Sequence, residues 1–174
     1  LVAVAVGKAV QPMVVAVNGL AIGVGVTMLL HADLVYATAE ARFRTPFVDL
    51  GLVPEAGSSL LMPATMGHTR AAEMLLLGET LTAERAAQGL LVNEVLADID
   101  ALQAHAMSKA RTLAQRAPAA MRASKALMRR ASKALLEETM NEEYQVFGDR
   151  LSSPELQEAV TAFLEKRPPD FTGC

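Results

Sequence analysis

Residues 9–32 contain no Lys, Arg, Asp or Glu. A stretch so free of charge has to leave water, and it is long enough to cross a bilayer as a single helix. Gly19 and Gly23 even form the G-x-x-x-G spacing of packed membrane helices. The punctuation argues otherwise. Pro12, Asn18, Gly19, Gly23 and Gly25 interrupt the stretch, and residues 13–17 (MVVAV) form an apolar run closing on an Asn-Gly pair. That is the pattern of a buried strand followed by a turn, with a second, helical run after it. The expectation is a strand, a glycine-rich turn and a buried helix inside a globular core, with no membrane span.

The rest of the chain follows from local signals. Pro12 ends a helix over residues 1–10. Residues 13–17, flanked by breakers, suit a strand buried on both faces, and residues 22–32 suit a buried helix that ends at the charge of Asp33. Residues 34–38 (LVYAT) and 41–43 read as further short strands, which implies a parallel α/β arrangement. A loop over residues 43–58 then carries Pro46, Pro54, Gly51 and Gly57, and loops of this kind display functional side chains. Helices are expected over 59–66, 69–77 and 82–88, the last with Thr82 as N-cap. Residues 90–96 (LLVNEVL) are strand-like, and 102–115 form an amphipathic helix. From Ala117 long helices dominate, over 118–136 and 137–151, with Pro118 in a first turn. Ser153 caps a last helix that starts at Pro154 and stops at residues 166–169. Two regions result, 1–116 and 117–174.

Composition narrows the partners. With 16 Lys+Arg against 19 Asp+Glu the net charge is −3, which gives no reason to expect nucleic acid as a partner but leaves room for a local basic site for a phosphorylated ligand. Aromatics make up 4% and Trp is absent, so the core is built from Ala, Val, Leu and Met. The only cysteine is Cys174; no intrachain disulfide is possible, and a cytoplasmic setting is the expectation.

The glycine turn is not a nucleotide loop. In G-x-G-x-x-G the third glycine would fall at Met28, and no Gly-Lys-Ser/Thr follows for a phosphate loop. Gly23 and Gly25 instead let a ligand approach the backbone closely, where the free N–H groups of a helix start welcome an anion. If the anion is the oxygen of an enolate, the same amides stabilise it as it forms. The loop that follows supplies one carboxylate, Glu55, in a Pro54/Gly57 turn between Leu52 and the next helix. An apolar pocket makes any carboxylate there better suited to take up and return a proton. Asp49 is the competing base and is expected to face solvent. His31, His68 and His105 have no metal-ligand spacing, Ser58 and Ser59 lack the G-x-S-x-G setting of a nucleophile, and the nine methionines are core material.

In order and spacing, N-G-x-A-x-G-x-G from Asn18, the Ala32-Asp33 pair, TPFVDLGLVPEAGSS from Thr45 and AFLEKRPPDF from Ala162 resemble the crotonase (enoyl-CoA hydratase/isomerase) superfamily. The resemblance covers nearly the whole chain. It implies an α/β, crotonase-like ββα-spiral core, incomplete at its N-terminus, with a C-terminal helical oligomerisation region. By the same resemblance Gly23 and Gly25 border the thioester, and the Val24 N–H is one oxyanion-hole donor, at a place where the family usually has glycine. Asp33 is structural. Hydratases of the superfamily carry two glutamates at the positions held here by Thr27 and Phe47, so water addition is not expected. The Thr-Pro-Phe and Pro-Glu turn is similar to the Δ3,Δ2-enoyl-CoA isomerase branch, whose turn glutamate is the catalytic base, here Glu55.

The implied activity is the shift of a double bond in an enoyl-CoA thioester from C3 to C2 through a dienolate, a reaction of fatty acid metabolism. Phe47 and Leu52 flank the substrate, and Phe163 and Lys166 approach the CoA end. No metal and no cofactor beyond the CoA of the substrate are implied. A homo-oligomer is, as a trimer or dimer of trimers, in the cytoplasm of a bacterium or in a eukaryotic peroxisome or mitochondrion. The family's upstream β-rich segment, with the Ala/Ser-Gly-x-Asp turn that supplies the other oxyanion amide, is expected to be missing from this chain. Two alternatives to the isomerase stay open: an impaired acyl-CoA-binding or structural module, and an atypical hydratase.

Overall fold

The computed structural model describes residues 9–174; the helix expected over residues 1–10 lies almost entirely outside them. Strand β1 (Val14–Val17) leads through the Asn18-Gly19 turn to β2 (Leu20–Ile22), helix α1 (Val24–Thr27) and a 3-10 turn (Met28–His31). A second strand pair with helical segments follows in β3 (Leu34–Thr38), β4 (Arg42–Arg44), a 3-10 turn (Val48–Leu50) and α2 (Ser58–Met66), here with the 3-10 turn before the helix. Each strand pair places one member in each of two sheets. β1 pairs parallel with β3 (Val14 opposite Leu34), while β2 pairs parallel with β4 (Leu20 opposite Arg42). This is the spiral expected from the resemblance.

Helix α3 (His68–Leu75) leads to β5 (Leu81–Thr82), α4 (Ala83–Gln88) and β6 (Glu94–Leu96). β6 extends the first sheet to β1-β3-β6, and β5 extends the second to β2-β4-β5. The parallel pairing expected of residues 13–17 and 34–38 holds, but β5 is a strand that the sequence does not announce, and it pairs antiparallel with β4, Phe43 opposite Leu81. Between the sheets and helices sits an apolar core that includes Val26, Phe43, Met62, Met74 and Leu81, each without solvent exposure. Met62 and Met74 pack at its centre, whereas Met107 and Met128 are exposed, so the expectation that the methionines are core material holds only in part.

Four other expectations need correction. Residues 22–32 are not one buried helix: Ile22 closes β2 by pairing with Arg44, and the helical part is two short turns. β1 is not buried on both faces, since Ala16 is exposed and its neighbours are half-buried; among the described residues only β3 pairs with it. Of residues 90–96 only the last three form a strand, because Leu90 takes a left-handed φ of 62°. The C-terminal helices break near Ser132 and not at 136, giving α6 (Pro118–Arg130) and α7 (Lys133–Arg150) after α5 (Ile99–Ala114).

The expected helix caps form. Thr82 accepts from the Arg85 N–H at 3.3 Å, and Ser153 accepts from the Leu156 N–H at 3.2 Å at the start of α8 (Pro154–Glu165). Asp33 is structural, as expected. Its carboxylate accepts from the Met13 N–H at 2.7 Å and from Lys125 of α6 at 2.6 Å, and this ties the C-terminal helices to the spiral. No described helix is long and apolar enough to cross a membrane.

Candidate active site

The glycine turn takes a shape that only glycine adopts cheaply. Gly23 has φ 55° and ψ −119°, a combination that a β-carbon makes costly. Its N–H donates to the Arg44 carbonyl at 2.8 Å, and its own carbonyl accepts from the N–H groups of Val26 and Thr27. The next two amides, those of Val24 and Gly25, have no acceptor among the described residues. Val24 is half exposed, and a β-carbon on Gly25 would meet nothing nearer than Ala21 at 3.9 Å. The turn therefore presents two adjacent free donors on an accessible edge, as the start of a helical segment does.

Thr27 lies one turn further along the same segment, fully buried. Its hydroxyl donates to Oε1 of Glu55 at 2.5 Å. A second approach, to the Val24 carbonyl at 3.4 Å, is too long to compete for the single hydroxyl proton. Glu55 is thus half-buried and aimed back at the glycine segment instead of into solvent. Its Oε2 has no partner among the described residues, so one carboxylate oxygen is held and the other is free to act.

Backbone geometry makes this aim possible. Ala56 and Gly57 have successive left-handed φ values of 60° and 76°, which turns the chain sharply between Glu55 and α2. The buried His31 ring donates through Nε2 to the Ala56 carbonyl at 2.7 Å, and the Ser58 N–H closes onto the Glu55 carbonyl at 3.1 Å. The competing carboxylate, Asp49, is engaged elsewhere: it pairs with Arg44 at 2.9 Å on the surface, 42% exposed.

The remaining expected residues fall in different settings. Phe47 is buried at 6% exposure within the core cluster. Leu52 packs against that core and lines a cavity of about 340 Å³ with Val48, Gly51, Val53, Arg150, Glu155 and Phe171. Neither Glu55 nor Val24 lines it. Phe163 (79% exposed) and Lys166 stand at the C-terminal end of α8, where Lys166 takes a left-handed φ of 56°. Of the histidines, His105 packs edge-on to Tyr36 with centroids 4.7 Å apart, and His68 opens α3 on the surface. No cluster of three or more potential metal ligands occurs among the described residues.

Sequence reasoning read Thr27 only as the absence of a hydratase glutamate, although its position three residues after Val24 puts it on the same face of a helix. It gave no role to His31 at the turn and none to Glu143. That carboxylate, from α7, accepts from the N–H groups of Gly57 (2.5 Å) and Ser59 (2.9 Å).

Comparison with known proteins shows the family of the chain. The profile of the family described as enoyl-CoA hydratase/isomerase matches residues 4–174. Among curated relatives, enoyl-CoA delta isomerase 2 of Rattus norvegicus is 42% identical over 91% of this chain and 40% of its own length. The 2,3-dehydroadipyl-CoA hydratase of Escherichia coli is 35% identical over 94% of this chain and 64% of its own. A crystal structure of an enoyl-CoA hydratase/isomerase from Pseudoalteromonas atlantica superposes with a TM-score of 0.95 at 45% identity, covering 98% of this chain and 68% of that one. The chain thus spans about two-thirds or less of the length of these relatives. On the family match, the shared fold and the glycine turn facing a single carboxylate, it belongs to the enoyl-CoA hydratase/isomerase family.

Proposed function

We propose that the protein is a Δ3,Δ2-enoyl-CoA isomerase in which Glu55 shuttles one proton. The observation that carries this reading is the 2.5 Å bond from the buried Thr27 hydroxyl to Glu55 Oε1. It fixes a lone carboxylate beside the segment whose first amide is the free Val24 N–H. Hydration of a double bond requires groups that hold water, take its proton and give one to carbon. The two places where hydratases of the superfamily keep their glutamates hold Thr27, already committed to Glu55, and Phe47, in the core. The nearby Glu143 has both oxygens occupied by donors.

The reaction needs less. Glu55 Oε2 removes a proton from C2 of the 3-enoyl thioester, and the electron pair moves into the carbonyl to form a dienolate. The Val24 N–H donates to the developing oxyanion, in a setting where such donors are worth most. Glu55 then returns the proton at C4, and the double bond ends between C2 and C3. Gly23 and Gly25 admit the thioester to the backbone edge, Phe47 and Leu52 form apolar walls behind the acyl chain, and Phe163 and Lys166 approach the CoA end. Lysine suits phosphate there as a mobile point charge. The exposed Leu127, Met128, Phe163 and Leu164 are the apolar surface through which the chain would assemble as a trimer or dimer of trimers.

Two substrates test the reading. With a 3-enoyl-CoA the absorbance of the conjugated 2-enoyl thioester is expected to rise, and with a 2-enoyl-CoA in water no 3-hydroxyacyl product is expected. Hydration of the second would overturn the isomerase in favour of a hydratase; binding of the first without conversion would leave an acyl-CoA-binding module.

A further inference from the structure

Helix α2 begins at the residue after a glycine, and Gly57 at its N-cap has no side chain to satisfy the free amides of the first turn. The cap comes instead from 84–86 residues later in the chain. Glu143, 7% exposed on α7, accepts from the Gly57 N–H at 2.5 Å with one carboxylate oxygen. With the other it accepts from the Ser59 N–H at 2.9 Å and the Ser59 hydroxyl at 2.5 Å. A buried carboxylate is costly unless its oxygens are paired, and here donors at a helix start pair both, the most favourable setting for a negative charge. Leu136 and Met140 of the same helix close over Gly57: a β-carbon there would lie 2.4 Å from Leu136 Cδ1 and 3.3 Å from Met140 Cγ.

What this anchor holds is the catalytic turn of the proposed isomerase, on which the inference rests. Only Ala56 separates Glu55 from Gly57, and Ala56 sits at a φ of 60° that a residue with a β-carbon does not keep unless its surroundings impose it. Two clamps impose it. His31 holds the Ala56 carbonyl from the glycine side, and Glu143 holds the Gly57 amide from the helical side. We propose that Glu143 is a positioning residue for Glu55: it fixes the left-handed turn that aims the Glu55 carboxylate at Thr27 and the substrate, and takes no part in proton transfer itself. The C-terminal helices would then complete the active site from within the same chain.

Glu143→Gln keeps the size of the side chain but puts an NH₂ where one oxygen accepts, so either Gly57 or Ser59 loses its anchor. In the 3-enoyl-CoA assay kcat is expected to fall about tenfold to a hundredfold, as for a catalytic group displaced by about 1 Å, with KM within about threefold of wild type and an unchanged circular dichroism spectrum. Amide exchange at residues 57–59 should be faster by about tenfold. On a Glu55→Gln background the same change should cost less than about twofold, because a residue that acts through Glu55 has nothing left to position. A kcat within twofold of wild type, or an equal loss on both backgrounds, would overturn the proposal. If Glu143→Gln does not fold, Ser59→Ala, which removes one of the three donors, takes its place: a kcat lowered severalfold at unchanged KM supports the role, and an unchanged kcat refutes it. A wild-type chain without isomerase activity would sink the proposed reaction, whereas the anchoring itself would still stand or fall on the exchange rates.

Discussion

Replacing Thr27 with valine removes one hydroxyl from a fully buried position and changes almost nothing else. The two side chains have nearly the same shape, so the core around Val26 and Leu29 keeps its volume. What disappears is the 2.5 Å donor to Glu55 Oε1. A hydrogen bond to a charged group contributes about 1.5–3 kcal/mol. If that energy serves to hold the carboxylate in its reactive orientation, losing it raises the barrier by the same amount. At about 1.4 kcal/mol per factor of ten, kcat should fall roughly 10- to 150-fold. In the proposed mechanism the hydroxyl makes no contact with the thioester, so KM should stay within about threefold. Melting should shift little, because Glu55 is half-buried and its released oxygen can take a hydrogen bond from water. Thr27→Ser, which restores the donor, should recover most of the rate. Steady-state kinetics with a 3-enoyl-CoA reads all three quantities. A Thr27→Val enzyme with kcat within twofold of wild type, or faster, would show that the hydroxyl does not position the base.

Two further outcomes follow from contacts away from the turn. Lys125→Met leaves Asp33 without its 2.6 Å partner in a site where the lysine side chain is 7% exposed. Asp33 keeps the Met13 N–H at 2.7 Å and Arg129 at 3.8 Å, so the loss is that of one charged hydrogen bond, about 1.5–3 kcal/mol, or about 3–12 °C in melting temperature for a chain of this size; a calorimetric shift below about 2 °C would contradict the pairing. The tail after α8 is fastened by Glu158, which accepts from Arg167 and from the Asp170 N–H, and these partners hold its carboxyl down to about 2. Because that value is depressed, the fastening is fully present above pH 4.5 and is lost as pH falls through about 2. The protection of the Asp170 amide, its exchange measured against the intrinsic rate at the same pH, should fall over that window in wild type and be low throughout in Glu158→Gln; a wild-type protection that does not change with pH would refute the fastening.

The sequence made the local chemistry legible and left the long-range pairings hidden, for physical reasons that differ from residue to residue. Thr82, Ser153 and Pro118 announce helix starts because a cap is a contact between near neighbours. Glu55 could be singled out because Pro54 and Gly57 mark a turn and the family spacing marks the glutamate. β2 is not legible because 20–22 is an apolar run with no period of its own, and only its pairing with residues 42–44 makes it a strand. The break between α6 and α7 falls in Ala131-Ser132, where helix propensity gives little signal. Glu143 lay within an acidic run that reads as a solvated helix face, and nothing near it in sequence points to Gly57 and Ser59. The donor role of Thr27 was hidden in the same way, since it depends on a turn 28 residues away.

The account stands on Glu55 as the one base, and Glu55→Gln tests it most directly. The substitution keeps the side chain's size and a partner for Thr27 while removing the capacity to accept a proton. With a 3-enoyl-CoA as substrate, formation of the conjugated 2-enoyl thioester should drop about 10²- to 10⁴-fold, the usual contribution of a general base, with thioester binding retained. A Glu55→Gln protein that forms the conjugated product at the wild-type rate would contradict it.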